Sequence, residues 1–291
     1  MLLDGRVAVV TGAGRGIGQC IALALSAQGA TLVLASRTVH ELAETERQIH
    51  SKGGICSSIR CDVGESPDVD HLVQSSLDVY GKIDILVNNA GIQGPIGPFV
   101  ENDEEAWLRN LQVNLMGPIR CMRSVLPGMI TRRAGKIMNL AGGGATAPRV
   151  NFSAYGTAKA ALVRLTETVA EEVRSFNIQV NAIAPGAVNT RMLQEIIDAG
   201  AASGAELGAA KLRQSQGGSP PELAAQLAVF LASDASDGLT GKLISAPHDG
   251  WQGWSANDFK LLTDEPWLTL RRVDPHTLRN VSAESFEKSS K

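Results

Sequence analysis

The sequence predicts an α/β fold: a doubly wound, parallel, seven-stranded sheet with helices on both faces. Three observations lead there. Short apolar, β-branched runs alternate with helix-length amphipathic stretches through residues 1–250. The runs are almost continuously apolar, as strands covered on both faces must be. The first run leads directly into a glycine-rich turn and an apolar helix, "VAVVTGAGRGIGQCIALAL", the opening of a strand–turn–helix unit.

Strands are expected at 6–10, 31–35, 55–60, 83–87, 136–140, 179–184 and 242–246. Most are short apolar, β-branched runs. The stretches between the first six carry helical period. No internal repeat or low-complexity linker interrupts the rhythm, so one domain is expected over 1–250. Two regions depart from it. Residues 192–218, rich in Ala, Gly and Gln after a "PG" turn, read as one or two short helices on a mobile substrate loop or lid. The extension 251–291 holds three of the four tryptophans, Trp251, Trp254 and Trp267. They suggest docking, over the active site or onto a neighbouring subunit. Its last ten residues, "SAESFEKSSK", read as disordered.

Composition narrows the function. Hydrophobic residues make up 44% of the 291, the net charge is −3, and no basic block occurs. Nucleic acid and anionic membranes are therefore not expected as partners. The apolar runs are strand-sized, too short to span a bilayer. The first residues lack the features of a secretory signal, so a cytoplasmic location is expected. Cys20, Cys56, Cys61 and Cys121 form no C-x-x-C pair and no histidine cluster accompanies them. Reduced thiols and no metal are expected.

The first turn carries Gly12, Gly14, Gly16 and Gly18. It follows G-x-x-x-G-x-G through Gly12, Gly16 and Gly18, with Ile17 where the more familiar G-x-G-x-x-G has its last glycine. Such a turn frees backbone N–H groups and lets a pyrophosphate approach a helix N-terminus without meeting a Cβ. This predicts a Rossmann-type dinucleotide site. The second strand ends in Ser36 and Arg37, without the acidic residue that would bind the ribose hydroxyls of NAD, and Arg15 lies inside the glycine turn. Guanidinium groups suit a 2′-phosphate, so NADP is favoured over NAD.

Six motifs now stand in order: "TGAGRGIG" from Thr11, "CDV" from Cys61, "NNAG" from Asn88, "VNLMG" from Val113, Y-x-x-x-K from Tyr155 and "PGAVNT" from Pro185. Together they resemble the short-chain dehydrogenase/reductase family in its compact one-domain form, over residues 4–250. The resemblance implies that Asp62 and Val63 contact the adenine, and that Asn88, Ala90 and Gly91 close the sheet beneath the cofactor. It implies that Thr190, after the Pro185–Gly186 turn, binds the carboxamide. Asn114 would kink its helix and hold a water in a proton relay. Homodimers or homotetramers are implied, built through helices near 104–131 and 153–175.

Tyr155 and Lys159 have a physical reading of their own. Four residues apart, they share one helix face. A tyrosine with pKa about 10 is a poor acid–base near neutrality, and a nearby ammonium is expected to lower it. Tyr155 would then exchange a proton with a carbonyl or alcohol oxygen, while Lys159 also holds the cofactor ribose. One feature departs from the family. A serine usually stands some thirteen residues before the tyrosine, and here that position is Gly142, flanked by Ala141, Gly143 and Gly144. Three explanations stand open. Thr146 or Asn151 supplies the missing hydrogen bond, or the substrate does. Alternatively the glycines make room for a bulky polar substrate, with Arg149 clamping a carboxylate or phosphate. Lastly, the activity is lost or altered.

The expected function is an NADP-dependent oxidoreductase interconverting a carbonyl and a secondary alcohol. Its competitors are a non-redox enzyme that uses nicotinamide transiently, such as an epimerase or carbon–carbon lyase, and a cofactor-binding regulator without turnover.

Overall fold

The computed structural model describes residues 1–272. Seven strands form one parallel sheet: β1 (Val7–Thr11), β2 (Thr31–Ser36), β3 (Cys56–Arg60), β4 (Ile85–Asn88), β5 (Gly135–Leu140), β6 (Ile178–Ala184) and β7 (Leu243–Ser245), in the order β3-β2-β1-β4-β5-β6-β7. Every strand falls within three residues of its expected place.

The helices are α1 (Gly16–Ala27), α2 (Val39–Ser51), α3 (Ser66–Tyr80), α4 (Glu104–Leu111), α5 (Gly117–Arg132), α6 (Ser153–Val173), α7 (Arg191–Asp198), α8 (Glu206–Gln216), α9 (Pro221–Ala232) and α10 (Ala256–Asp264). A π-helical turn, Gln112–Met116, joins α4 to α5.

Successive strand side chains point to opposite faces, which splits the core in two. Ala8, Val10, Leu32 and Leu34 pack with α1 and α9 on one side. Val9, Val33 and Leu86 pack with α3, α5 and the end of α6 on the other. The inner strands β1, β4 and β5 are buried at every position, hence their apolar runs, whereas the edge strand β3 is partly exposed and carries Ser57, Ser58 and Arg60.

Chain direction across the sheet reverses between β1 and β4. At such a switch point the loops leaving adjacent strands diverge and open a crevice at the strands' C-terminal ends. The glycine turn after β1 and the "NNAG" segment after β4 lie there.

The extension docks on its own chain. Trp251 is buried against Phe230 of α9, ring centroids 5.6 Å apart, and its Nε1 donates to Ala246 O at 3.1 Å. Phe259 and Leu262 of α10 join the same core. Leu268 then runs beside β7, its carbonyl accepting from Leu243 N at 2.7 Å. None of these residues joins the apolar cluster around Tyr155. The docking suggested by the tryptophans is therefore along the sheet edge within one subunit. The expected disorder of 282–291 lies outside the described residues.

Candidate active site

The glycine turn is built for close approach. Thr11 Oγ1 accepts from the backbone N–H of Asn89 at 3.0 Å and of Ala90 at 3.1 Å. Asn89 Nδ2 returns bonds to Thr11 O at 2.9 Å and Gly12 O at 3.1 Å. A Cβ at Gly18 would collide with Gly12 O and Asn89 Nδ2, so only glycine fits there. Gly12 and Gly16 have φ of 66° and 58°, the left-handed region that glycine enters without strain. No side chain caps α1 and its first turn holds no acidic residue. The N–H groups of Gly16, Ile17 and Gly18 in that first turn are thus left for an anion, which the helix dipole also favours. These residues fit a dinucleotide pyrophosphate.

At the outer rim, Ser36 Oγ accepts from Thr38 N at 3.2 Å. Arg15 is paired with Glu41, whereas Arg37 lies a loose 3.8 Å from Asp62 with its side chain 53% exposed. Asp62 is fixed by Arg109 and by Gly64 N, which donates to its Oδ1 at 2.9 Å. Val63 beside it is buried. Beneath the crevice, Asn88 Nδ2 donates to Asn139 Oδ1 at 2.8 Å, and a Cβ at Gly91 would lie 2.8 Å from Asn114 Oδ1. Thr190 comes within reach of the glycine turn: a Cβ on Gly16 would lie 3.5 Å from its Cγ2. Pro185 and Gly186, the latter at φ 83°, turn the chain toward it.

Tyr155 and Lys159 lie on α6, 7% and 4% exposed, with Lys159 Nζ 5.6 Å from the phenol ring centre. Lys159 donates to Leu140 O at the end of β5, at 2.7 Å. Burial drives both groups toward their neutral forms. It lowers the Lys159 ammonium to about 8 and raises the Tyr155 phenol, an effect that Arg149 partly offsets. This corrects the expectation that a nearby ammonium lowers the phenol. In a dry site the loss of solvation outweighs the attraction, and here Arg149 is the opposing cation.

Gly142 explains how the tyrosine sits. A Cβ there would lie under 3.0 Å from Tyr155 Oη, closer than real Cβ atoms approach, and 3.4 Å from Cζ. The hydroxyl occupies the space that any larger residue would need. Of the proposed substitutes for a serine, Thr146 is exposed. Asn151, at φ 68°, turns the chain into α6 and lies beneath Gly204 of the loop above.

That loop covers the tyrosine. Leu193 and Ile196 of α7 and Ala210 of α8 pack with Phe152 and Tyr155 in one apolar cluster. Arg149 latches it: Nε and Nη2 donate to the two carboxylate oxygens of Glu206, each at 2.6 Å. Its guanidinium stacks 3.9 Å from the Phe152 ring centre. With the Gln93 amide oriented oxygen-inward, that oxygen accepts from Arg149 Nη1 at 2.6 Å.

Asn114 sits in the π-helical turn, where the widened helix aims its side chain inward. Nδ2 donates to Ile92 O at 2.8 Å and to Asn110 Oδ1 at 2.7 Å, and Oδ1 accepts from Ile92 N at 3.1 Å. Asn110, Asn89, Gln93 and Glu206 are site residues that the sequence reading missed. Asn110 had a signal in its spacing of four from Asn114, and Asn89 one in its place within "NNAG". One histidine does meet a cysteine, although their spacing of six does not signal it: His50 Nε2 lies 3.4 Å from Cys56 Sγ.

Comparison with known proteins decides the family. Residues 6–200 match the family described as short chain dehydrogenase. The chain belongs to that family. It is 35% identical over 251 residues to the short chain dehydrogenase/reductase astE of Aspergillus oryzae, covering 84% of this chain and 94% of that protein. It is 32% identical over 244 residues to the 3-oxoacyl-[acyl-carrier-protein] reductase FabG of Thermotoga maritima, covering 84% and 97%. Among solved structures, NAD+-bound xylitol dehydrogenase superposes with a TM-score of 0.78 at 31% identity, covering 84% of this chain and 98% of that one. A gluconate 5-dehydrogenase from Burkholderia cenocepacia in complex with NADP and tartrate gives 0.74 at 31%, covering 84% and 94%. The chain is thus a short-chain dehydrogenase/reductase, an NAD(P)-dependent oxidoreductase acting on CH–OH groups. Among the described residues, no helix is long and apolar enough to cross a membrane.

Proposed function

We propose that this protein interconverts a carbonyl and a secondary alcohol with NADP, using Tyr155 as the proton donor and acceptor. One observation carries the reading: the phenol is buried just past the end of β5 against Gly142, with a buried lysine one helical turn away. The nicotinamide, when bound, supplies or accepts the hydride. The chain's part is to hold the oxygen of the substrate and to move a proton to or from it at Tyr155 Oη.

Lys159 is suited to this. An ammonium near pKa 8 can return a proton to the phenol close to neutral pH. Asn110 and Asn114 fix the loop carrying Ile92 through Gly94 and so set the floor of the pocket. In place of a serine hydroxyl, the glycine lets the tyrosine hydroxyl approach the strand end, and the substrate oxygen has the phenol as its donor. The apolar faces of Phe152, Leu193 and Ile196 suit a substrate whose carbonyl is set in hydrocarbon. An acidic group on it would compete with Glu206 for Arg149.

The preference for NADP rests on Arg37, half-exposed and loosely paired beside Ser36, with Arg15 as second contact once Glu41 yields. NAD is the weaker alternative, since β2 ends in Ser36 and Arg37 without an acidic residue to bind its ribose hydroxyls. Residues 192–218 act as a lid held by the Arg149–Glu206 pair, and α5 and α6 are the faces through which a homodimer or homotetramer would form.

The experiment is a panel of neutral and acidic ketones followed by NADPH and NADH absorbance. Ketone-dependent oxidation of NADPH in preference to NADH is the expected result. Product formed with no net cofactor change would instead indicate non-redox chemistry. Cofactor binding with no turnover across the panel would favour a regulatory role.

A further inference from the structure

We propose that Glu46, His50 and Cys56 form a zinc site that ties α2 to the edge strand β3, separate from the dinucleotide crevice. Their ligand atoms, a carboxylate oxygen, an imidazole nitrogen and a thiol sulfur, all lie within 4.8 Å of one another. Glu46 and His50 stand four apart on α2 and therefore share one face. Cys56 opens β3, whose other side pairs with β2. Cys56 Sγ already approaches His50 Nε2 to 3.4 Å.

The connecting turn fixes this approach. Gly53 N donates to His50 O at 2.9 Å and Gly54 N to Ile49 O at 3.0 Å. Gly53 has φ 77°, and a Cβ at Gly54 would collide with Ser26 Oγ and lie 2.7 Å from Ile49 Cγ2. The chain between the imidazole and the thiol is thus folded back tightly against α1 and α2. Ser58 Oγ donates to Glu46 Oε2 at 2.9 Å, which orients the carboxylate and leaves its other oxygen for the ion. Such an outer hydrogen bond is what metal-binding carboxylates ordinarily have.

The donor set selects the ion. Thiolate, neutral imidazole and carboxylate together carry charge −2, which balances a divalent cation. Sulfur with nitrogen favours zinc over magnesium or calcium. Bond lengths of about 2.0–2.3 Å in a tetrahedron place ligand atoms roughly 3.3–3.7 Å apart. Side-chain rotation of about 1 Å from the present positions reaches that. Water takes the fourth place. The site lies at the N-terminal end of β3, about 13 Å along the strand from Arg60 at the crevice end. Its role is to clamp the sheet edge, not to act in the hydride transfer.

The test uses the full chain without a histidine tag. Cobalt(II), which replaces zinc with a visible spectrum, should bind one equivalent and give a thiolate charge-transfer band with tetrahedral ligand-field bands. Cys56→Ser should abolish the charge-transfer band. His50→Ala and Glu46→Gln should each weaken zinc binding by at least about 10-fold, and Ser58→Ala by about 10-fold. Oxidoreductase activity in chelator should be unchanged in all four. As a check that needs no variant, zinc should protect Cys56 of the wild-type chain, and not Cys20, from alkylation read by mass spectrometry. A charge-transfer band that persists in Cys56→Ser, zinc affinity unmoved by His50→Ala, or Cys56 alkylated equally with and without zinc would each overturn the proposal.

Discussion

Gly142 is where this chain departs from its family's usual serine, and it gives the sharpest prediction. Adding a Cβ at that position puts a carbon under 3.0 Å from Tyr155 Oη, against ordinary contact of 3.4 Å or more. The phenol, or β5 itself, must therefore move by at least 0.4 Å, the difference between those limits. β5 is the less able to yield, because it is paired with β4 and β6 on either side. Misplacing a reacting group by about 1 Å costs on the order of 10²-fold in rate, so a displacement of half that or more predicts a loss of roughly 10- to 100-fold in kcat for Gly142→Ala. Gly142→Ser adds the same carbon and a hydroxyl. A well-placed donor is worth about 10²–10³ where one is missing. If the phenol already fills that role, the serine brings only the displacement, and kcat falls as in the alanine variant. The assay is steady-state NADPH oxidation with the best ketone of the panel, with thermal melting to confirm folding. A Gly142→Ser enzyme as fast as wild type, or faster, would refute the reasoning: the glycine would then be a defect in an ordinary serine-dependent site.

Other expectations follow from the same geometry. Arg37→Ala should weaken NADPH binding by at least about 10-fold and leave NADH binding nearly unchanged, measured by cofactor fluorescence titration. Glu206→Gln removes the negative charge that compensates Arg149, so more net positive charge faces the phenol. The alkaline limb of the kcat–pH profile for ketone reduction, where the phenol must carry its proton, should move to lower pH and the 200–218 segment should be cut faster by protease; a shift to higher pH would contradict the pairing. Lys159 is held near 8 from an ordinary 10.5, so below pH 8 the folded state bears the full cost of a buried ammonium. Between 8 and 10.5 the unfolded chain binds the extra proton, and wild-type stability rises with pH. Lys159→Met, free of that cost, should be favoured most at pH 7, its advantage over wild type shrinking by up to about 3 kcal/mol over that span, in urea unfolding.

The fold was legible because its signal is local. Strands buried on both faces are apolar over most of their length, and "VAVVT" or "ILVN" shows this without reference to the rest of the chain. The cofactor crevice was legible because its glycines stand together in one short motif between β1 and α1, although most of the contacts that demand them, such as Asn89 against Gly12 and Gly18, come from distant segments. What escaped depends on approach between distant segments. Arg149 meets Glu206 across 57 residues, and Asn89 reaches Gly12 across 77, so neither pairing has a periodicity to betray it. The phenol's titration was misjudged for another reason. Spacing of four shows that Lys159 shares a face with Tyr155, but not that both are dry or that the ammonium is spent on Leu140 O. His50 and Cys56 are six apart, a spacing with no meaning until the Gly53–Gly54 turn is seen to fold them together.

Tyr155→Phe removes one oxygen from a buried ring and nothing else. With the panel's best ketone, hydride transfer in a single turnover of pre-bound NADPH should fall by about 10²–10⁴-fold while NADPH affinity stays the same. Hydride transfer at the wild-type rate in Tyr155→Phe would contradict the assignment of the phenol as proton donor.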